Sequence, residues 1–396
     1  MTGRPLRVLA LLLVAATLGG CASFSPTSLS SWVPPAPNWD KLFGKSNKPG
    51  PLPELTATRT AQIEWQLGLG KSAPGFAPAV TGQSVYAASI EGTIARLDAA
   101  TGRVAWRVSA NRKLSAGPGA DDERVVVGTD KGDVLAYDAN GNATWTAHVS
   151  TEVVAPPTVA GSVVLVYACD GRVFGLAAAD GKTMWVHQRN NPPLTVRNSA
   201  GGVVSRGGLF LGTAGGRLVG LDTQTGAVGY EVAVATPKGA TELERIADIT
   251  SLPLIDERTA CAVAYQGRVA CFEVVRGTPL WTRDISSLAG LTGDVRNLYV
   301  TDDRGAIHAL DRANGASVWK QEALAARRVG GPQLIGDDLI GVVDVEGWLH
   351  LLSRSDGSYV GRLATDGSPP TAQPARRGTS IVWQSDNGNV YSIAAR

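Results

Sequence analysis

Gly92-Thr93-Ile94-Ala95-Arg96-Leu97-Asp98-Ala99-Ala100-Thr101-Gly102-Arg103-Val104-Ala105-Trp106 is the stretch that decides the fold. It opens on a turn glycine, runs through an apolar strand to an acidic residue, turns at a second glycine and ends on tryptophan. The same order returns as Gly132…Asp138…Gly141…Trp145, Gly171…Gly181…Trp185 and Gly216…Asp222…Gly226…Tyr230. It continues as Gly267…Glu273…Gly277…Trp281, Gly305…Asp311…Gly315…Trp319 and Gly347…Gly357…Gly361. Successive first glycines stand 40, 39, 45, 51, 38, 42 and 41 residues apart, the last being Gly388. A period of about 40 residues built from strand-like pieces implies a β-propeller or a related β-repeat array.

Within each unit, the second position after the turn glycine is apolar (Ile94, Val134, Val173, Leu218), and so is the fifth (Leu97, Tyr137, Leu176, Leu221). The fourth is mostly small, as in Ala136, Gly175, Gly220, Cys271 and Ala309, with Arg96 and Leu351 departing from it. Short strands broken by Gly and Asp turns are the all-β pattern. Four strands per unit follow: A around Pro78, Pro118, Pro157, Pro253 and Pro332, B before the turn, C after it, and D carrying the aromatic. The last unit stops at Arg396 before a D strand can form, while a surplus D strand, Ile63–Leu67 with Trp65, precedes the first unit. The expected fold is therefore an all-β, eight-bladed propeller of four antiparallel strands per blade. Its last blade is closed by the N-terminal strand, which leaves no open sheet edge at the seam. An aromatic recurring at one register reads as structure, with its ring between blades and its N–H on a neighbour. The Asp-x-x-x-Gly pieces read as turns whose carboxylate caps backbone N–H groups.

The N-terminus carries a processing signal. Arg4 and Arg7 precede the apolar run Val8–Leu18, followed by Leu18-Gly19-Gly20-Cys21. That run is too short to span a membrane. A Cys directly after small residues resembles the bacterial lipobox, which implies acylation of Cys21, attachment through its acyl chains and, with Ala22 next, the outer membrane. Three regions are expected: a lipoprotein signal peptide over 1–20, the acylated Cys and a Pro/Ser-rich tether over 21–58, and the propeller over 59–396. Loss of Arg4 and Arg7 with the signal leaves 35 basic against 35 acidic residues. No basic stripe interleaved with aromatics is present, so nucleic acid is not an expected partner.

Of the remaining cysteines, Cys261 and Cys271 flank the Gly267 turn close enough to face each other. Their small, buried register is read as two free thiols, with a cross-strand disulfide as the alternative. His148, His187, His308 and His350 are spread over four units, without metal-ligand spacing. His308 and His350 share a repeat register and are expected at the surface or between blades. Gly-x-Ser-x-Gly is absent and no catalytic constellation emerges. The chain is accordingly read as no enzyme, with no cofactor and no small-molecule substrate.

The two widest glycine spacings, 45 and 51, place extra residues between strand D of one unit and strand A of the next. In a four-stranded meander these D–A connections emerge on the same face as the B–C turns. His187–Ala200 and Glu231–Leu252 are thus enlarged neighbouring loops on one face, a common mark of a binding surface in repeat arrays. Leu194 and Val196 beside Arg197 offer an apolar anchor next to a bidentate donor. Leu194, Arg197 and Asp248 are expected to be exposed there.

The repeat resembles that of quinoprotein dehydrogenases, which hold their quinone against an adjacent-cysteine disulfide and a calcium. This chain has no adjacent cysteines. With its lipobox and Pro-rich tether it resembles more closely the BamB family, lipoprotein subunits of the outer-membrane β-barrel assembly machinery. Pro193-Leu194-Thr195-Val196-Arg197 is similar to that family's Leu-x-Leu-Arg stretch, and Asp248-Ile249-Thr250 to its Asp-x-Asp segment, with Thr250 at the second Asp. The resemblance implies a non-catalytic scaffold on the periplasmic face of the outer membrane. Its implied partners are the POTRA domains of BamA and other machinery subunits, and its implied contact residues are Leu194, Val196, Arg197 and Asp248. The competing readings are a quinone-dependent dehydrogenase and a polysaccharide-binding propeller lipoprotein.

Overall fold

Apolar strands separated by glycine turns must cover both faces, and here they do so by stacking sheet against sheet around an axis. The computed structural model describes residues 49–197 and 200–396. The expected signal, Cys21 and most of the tether lie outside them. Among the described residues thirty-two strands form eight four-stranded antiparallel sheets, and no described helix is long and apolar enough to cross a membrane. Blade 1 is a meander of strands A (Ala79–Thr81), B (Ser84–Ala88), C (Thr93–Asp98) and D (Val104–Ser109). Residues leading into the A strands, such as Pro156, Thr250 and Pro370, ring a central opening of about 260 Å³.

Closure follows the expected plan. Blade 8 has A, B and C strands Ala375–Arg377, Ser380–Gln384 and Asn389–Ala395, and its D strand is Ala61–Gly68 from the other end of the chain. At the seam Thr60 and Arg396 exchange backbone hydrogen bonds of 3.0 and 2.9 Å. Buried apolar residues gather into eight clusters, one at each junction between neighbouring blades. Trp65, Val85 and Val382 meet between blades 8 and 1, for example, and Phe210, Ala260 and Phe272 between blades 4 and 5.

The recurring aromatic is the staple across those junctions. Trp65, Trp106 and Trp145 donate their indole N–H to Ala99, Ala139 and Ala178 carbonyls of the next blade, at 2.9, 2.8 and 3.0 Å. Trp185, Trp281 and Trp319 do the same to Thr223, Arg312 and Arg354, at 3.1, 2.8 and 3.0 Å. Each ring lies on the second glycine of the next blade, where φ is positive. A Cβ at Gly102 would sit 2.5 Å from Trp65, and one at Gly315 2.5 Å from Trp281, so glycine is required twice over. A one-residue bulge just before each aromatic, as at Ala105, Met184 and Leu280, turns the ring toward the neighbour.

The ladder also explains the small position on strand C: it is the residue opposite the aromatic. Gly175 pairs with Trp185, and a Cβ there would lie 2.2 Å from the indole. Blade 7 exchanges the two sizes, pairing Leu351 with Gly361. The acidic turns cap as expected: Asp98 accepts from the Thr101 N–H and hydroxyl at 2.9 and 2.7 Å, which hold its carboxyl below the usual range.

One expectation needs correction. Cys261 and Cys271 are joined by a disulfide, because they pair directly across the B–C ladder with their Cα atoms 4.1 Å apart. The small-residue register is right, but it places the two sulfurs together rather than in separate niches. Of the two places expected for His350, the surface is excluded. It is fully buried on strand C of blade 7, with its ring nitrogens 2.8 Å from Asp344 Oδ2 and 2.8 Å from the Tyr359 hydroxyl.

Candidate partner-binding face

The enlarged connections do emerge beside the B–C turns, and one carboxylate ties them together. Asp248 Oδ2 accepts the Val196 N–H at 2.6 Å and Oδ1 accepts the Gly215 N–H at 2.9 Å. Its own carbonyl accepts the Tyr265 N–H at 2.8 Å. Asp248 therefore links the loop over 187–200 to the B–C turns of blades 4 and 5. It is only 2% exposed, flanked by buried Ala247 and Ile249, so the expectation that it is exposed is overturned. The physical reason is that backbone N–H groups converging from the loop at Val196 and the turn at Gly215 need an acceptor, and the carboxylate's two oxygens serve both.

Leu194 is exposed as expected, at 43%. Val196 is half-buried, its backbone held by Asp248. Arg197, its side chain 54% exposed, makes the fork-like contact anticipated from its chemistry, but to a residue of this chain. Its two terminal nitrogens donate to Glu152 at 2.6 and 3.2 Å. Glu152 went unnoticed in the sequence because it sits in a connection of ordinary length. Thr250 sits at the central opening, with its hydroxyl 3.4 Å from the Leu288 carbonyl.

Behind this loop a cleft of about 390 Å³ opens between blades 3 and 4. Its floor is apolar, including Tyr167, Leu211 and Val219, and Arg172, His187 and Arg197 stand among its polar lining. Burial, then the neighbouring Arg189 guanidinium, push the His187 imidazole below its ordinary value. Arg189 is in turn paired with Glu231 at 2.8 Å, so the base of one enlarged loop is bonded to the start of the other. Among the described residues no group of three or more His, Cys, Asp or Glu side chains is placed to hold a metal ion.

A family model described as outer membrane protein assembly factor BamB matches residues 90–321. A relative of that name from Bordetella pertussis is 38% identical over 350 residues, covering 88% of this chain and 90% of the relative. This chain belongs to the BamB family. A second relative, from Burkholderia pseudomallei, is 37% identical over 350 residues, covering 88% of this chain and 92% of its own. The crystal structure of BamB from Moraxella catarrhalis superposes with a TM-score of 0.78 at 26% identity, covering 85% of this chain and 100% of that one. Quinohemoprotein alcohol dehydrogenase from Comamonas testosteroni, at 12% identity and a TM-score of 0.66, shares the fold alone. The resemblance read from the repeats and the two loop segments is thus the family to which the chain belongs.

Proposed function

We propose that this chain is a non-catalytic subunit of the machinery that assembles outer membrane proteins. In this reading it is anchored to the periplasmic face of the outer membrane through acylated Cys21 and binds the POTRA domains of BamA. The observation that carries the reading is the Asp248 clamp. It fixes two enlarged loops as one surface and leaves Leu194 and Arg197 facing outward from a rigid base. A preordered apolar side chain beside a guanidinium suits protein recognition, because little conformational entropy remains to be lost on binding.

The test compares Leu194→Ala and Arg197→Ala with Arg103→Ala, which lies in a C–D turn on the opposite face. Melting temperatures should stay together, since exposed substitutions usually shift stability by within about 0.5 kcal/mol. Capture of purified BamA POTRA domains should fall by about tenfold or more for the two loop variants, as for interface residues worth over 1 kcal/mol. Capture equal to that of Arg103→Ala places the interface elsewhere. The anchor has its own test: Cys21→Ser should move the folded protein from the membrane fraction to the soluble periplasm. Its retention in membranes after a carbonate wash would remove the acyl chains from the explanation.

A further inference from the structure

Seven of the eight junctions are crossed by an aromatic on strand D: Trp65, Trp106, Trp145, Trp185, Tyr230, Trp281 and Trp319. The junction from blade 7 to blade 8 lacks both halves of the device. Gly361 stands at the aromatic position of strand D (Tyr359–Ala364), and blade 8 has no C–D turn to receive a ring, because its D strand is Ala61–Gly68 rather than a continuation of its C strand. A different element is found in that place. Pro49–Thr60 contacts blade 7 and the connection leading into it before the chain enters the D strand of blade 8.

The contacts of this segment are specific along its length. The Gly50 N–H donates to the Ala326 carbonyl at 2.9 Å, and the buried Arg327 guanidinium donates to the Gly50 carbonyl. Arg327 is itself held by Asp344 at 2.6 Å and Glu346 at 2.6 Å. The Arg362 guanidinium donates to the Pro53 carbonyl at 3.1 Å, and Leu52 and Leu55 are half-buried. Thr58 and Arg59 both donate their N–H to the Val360 carbonyl, at 2.9 and 3.0 Å. Val360 is the bulged residue of blade 7. Its counterparts Ala105, Thr144, Met184, Gly229, Leu280 and Val318 are all exposed, whereas Val360 is partly covered. Next to it, a Cβ at Gly361 would lie 2.6 Å from the Arg59 carbonyl oxygen. The glycine that removes the aromatic is also the one that admits the segment.

We propose that residues 49–60 are a seam strap: they lock the junction between blades 7 and 8 in place of the aromatic, and they fix where the N-terminal chain joins the ring. Ala326 belongs to a D–A connection, so that joining point is on the face that carries the enlarged loops, at blades 6 and 7. Pro51 and Pro53 suit the role, since an extended, proline-stiffened segment has little entropy to lose on docking. The strap is independent of any reading of the partner.

The test uses the mature chain with Cys21→Ser for solubility, its truncations beginning at Pro49 and at Ala61, and Gly361→Val in the first and last of these. Starting at Pro49 should leave the melt unchanged. Starting at Ala61 should lower it by at least about 3 °C and raise amide exchange in Tyr359–Ala364 and Ala375–Gln384, but not in blades 2 and 3. In the long chain Gly361→Val should expel the strap, accelerating tryptic cleavage after Arg59 by about tenfold or more. In the chain beginning at Ala61 the same substitution should leave the melt unchanged. Should that shortest chain not fold, the cleavage rate in the long chain decides. Unchanged cleavage there, or an equal loss from Gly361→Val with and without residues 49–60, overturns the proposal.

Discussion

A mature chain shortened to begin after Gly68 should lose its cooperative melt, while one beginning at Pro49 should melt as the full chain does. Ala61–Gly68 is the whole outer strand of blade 8, paired with Asn389–Ala395 along its length. Its Trp65 is buried, lies on Gly102 and donates to the Ala99 carbonyl at 2.9 Å, so the strand closes two contacts at once. Truncating a buried Trp alone costs about 3–5 kcal/mol. Removing the strand adds an exposed sheet edge and strips apolar cover from Val382 and Val390. That sum is comparable with the whole stability of a typical domain, about 5–15 kcal/mol. Calorimetry on the two truncations decides the matter: matching transitions would mean that the ring is held without its N-terminal strand.

Asp248→Ala should be the most damaging single substitution on the proposed partner-binding face, in both stability and capture. The carboxylate is buried, and its removal leaves the Val196 and Gly215 N–H groups without their acceptor. Unsatisfied buried donors cost about 1–3 kcal/mol each, and because both N–H groups are only partly buried a loss in the lower part of the two-donor sum, about 2–4 kcal/mol, is expected. The damage should be local. Amide exchange at Val196 and Gly215 should rise well before that of blades 1 and 8, and POTRA capture should fall further than for Leu194→Ala. Asp248→Asn, which retains one carbonyl acceptor, should recover part of both losses. A variant that keeps the melting temperature and the slow exchange at Val196 would show that the loop is held by other contacts.

The blade count and the closing strand were legible because each rests on a repeat: a register seen several times reveals its missing members. The enlarged loops were legible for the same reason, as departures from a constant spacing. Asp248 was misjudged because burial of a loop residue depends on turns contributed by other blades, and nothing at positions 215 or 265 advertises that demand. The local clue lay in Ala247 and Ile249, apolar on either side of the carboxylate and both buried. Cys261 and Cys271 show a subtler limit. Their facing register could be counted from the Gly267 turn, but thiol and disulfide fill that register equally well until the Cα separation is known. The register shared by His308 and His350 allows a place at the surface or between blades and does not choose: His308 keeps some exposure, while Asp344, Tyr359 and the fold of blade 7 enclose His350.

The reciprocal hydrogen bonds between Thr60 and Arg396 have a consequence for how this chain can be rearranged. The two ends of the ring are neighbours, so the order in which the blades are numbered carries no structural information. A circular permutant that joins Arg396 to Thr60 through a short glycine linker, gives up residues 49–59 and opens instead at the exposed turn around Gly161 should assemble the same eight blades, with the lower melt expected of a ring without its strap. In such a molecule the new N-terminus, and any lipid attached to it, would depart from blade 3 rather than from blades 6 and 7. Tether position would then become an independent variable, to be moved around the ring without altering a residue of the two enlarged loops.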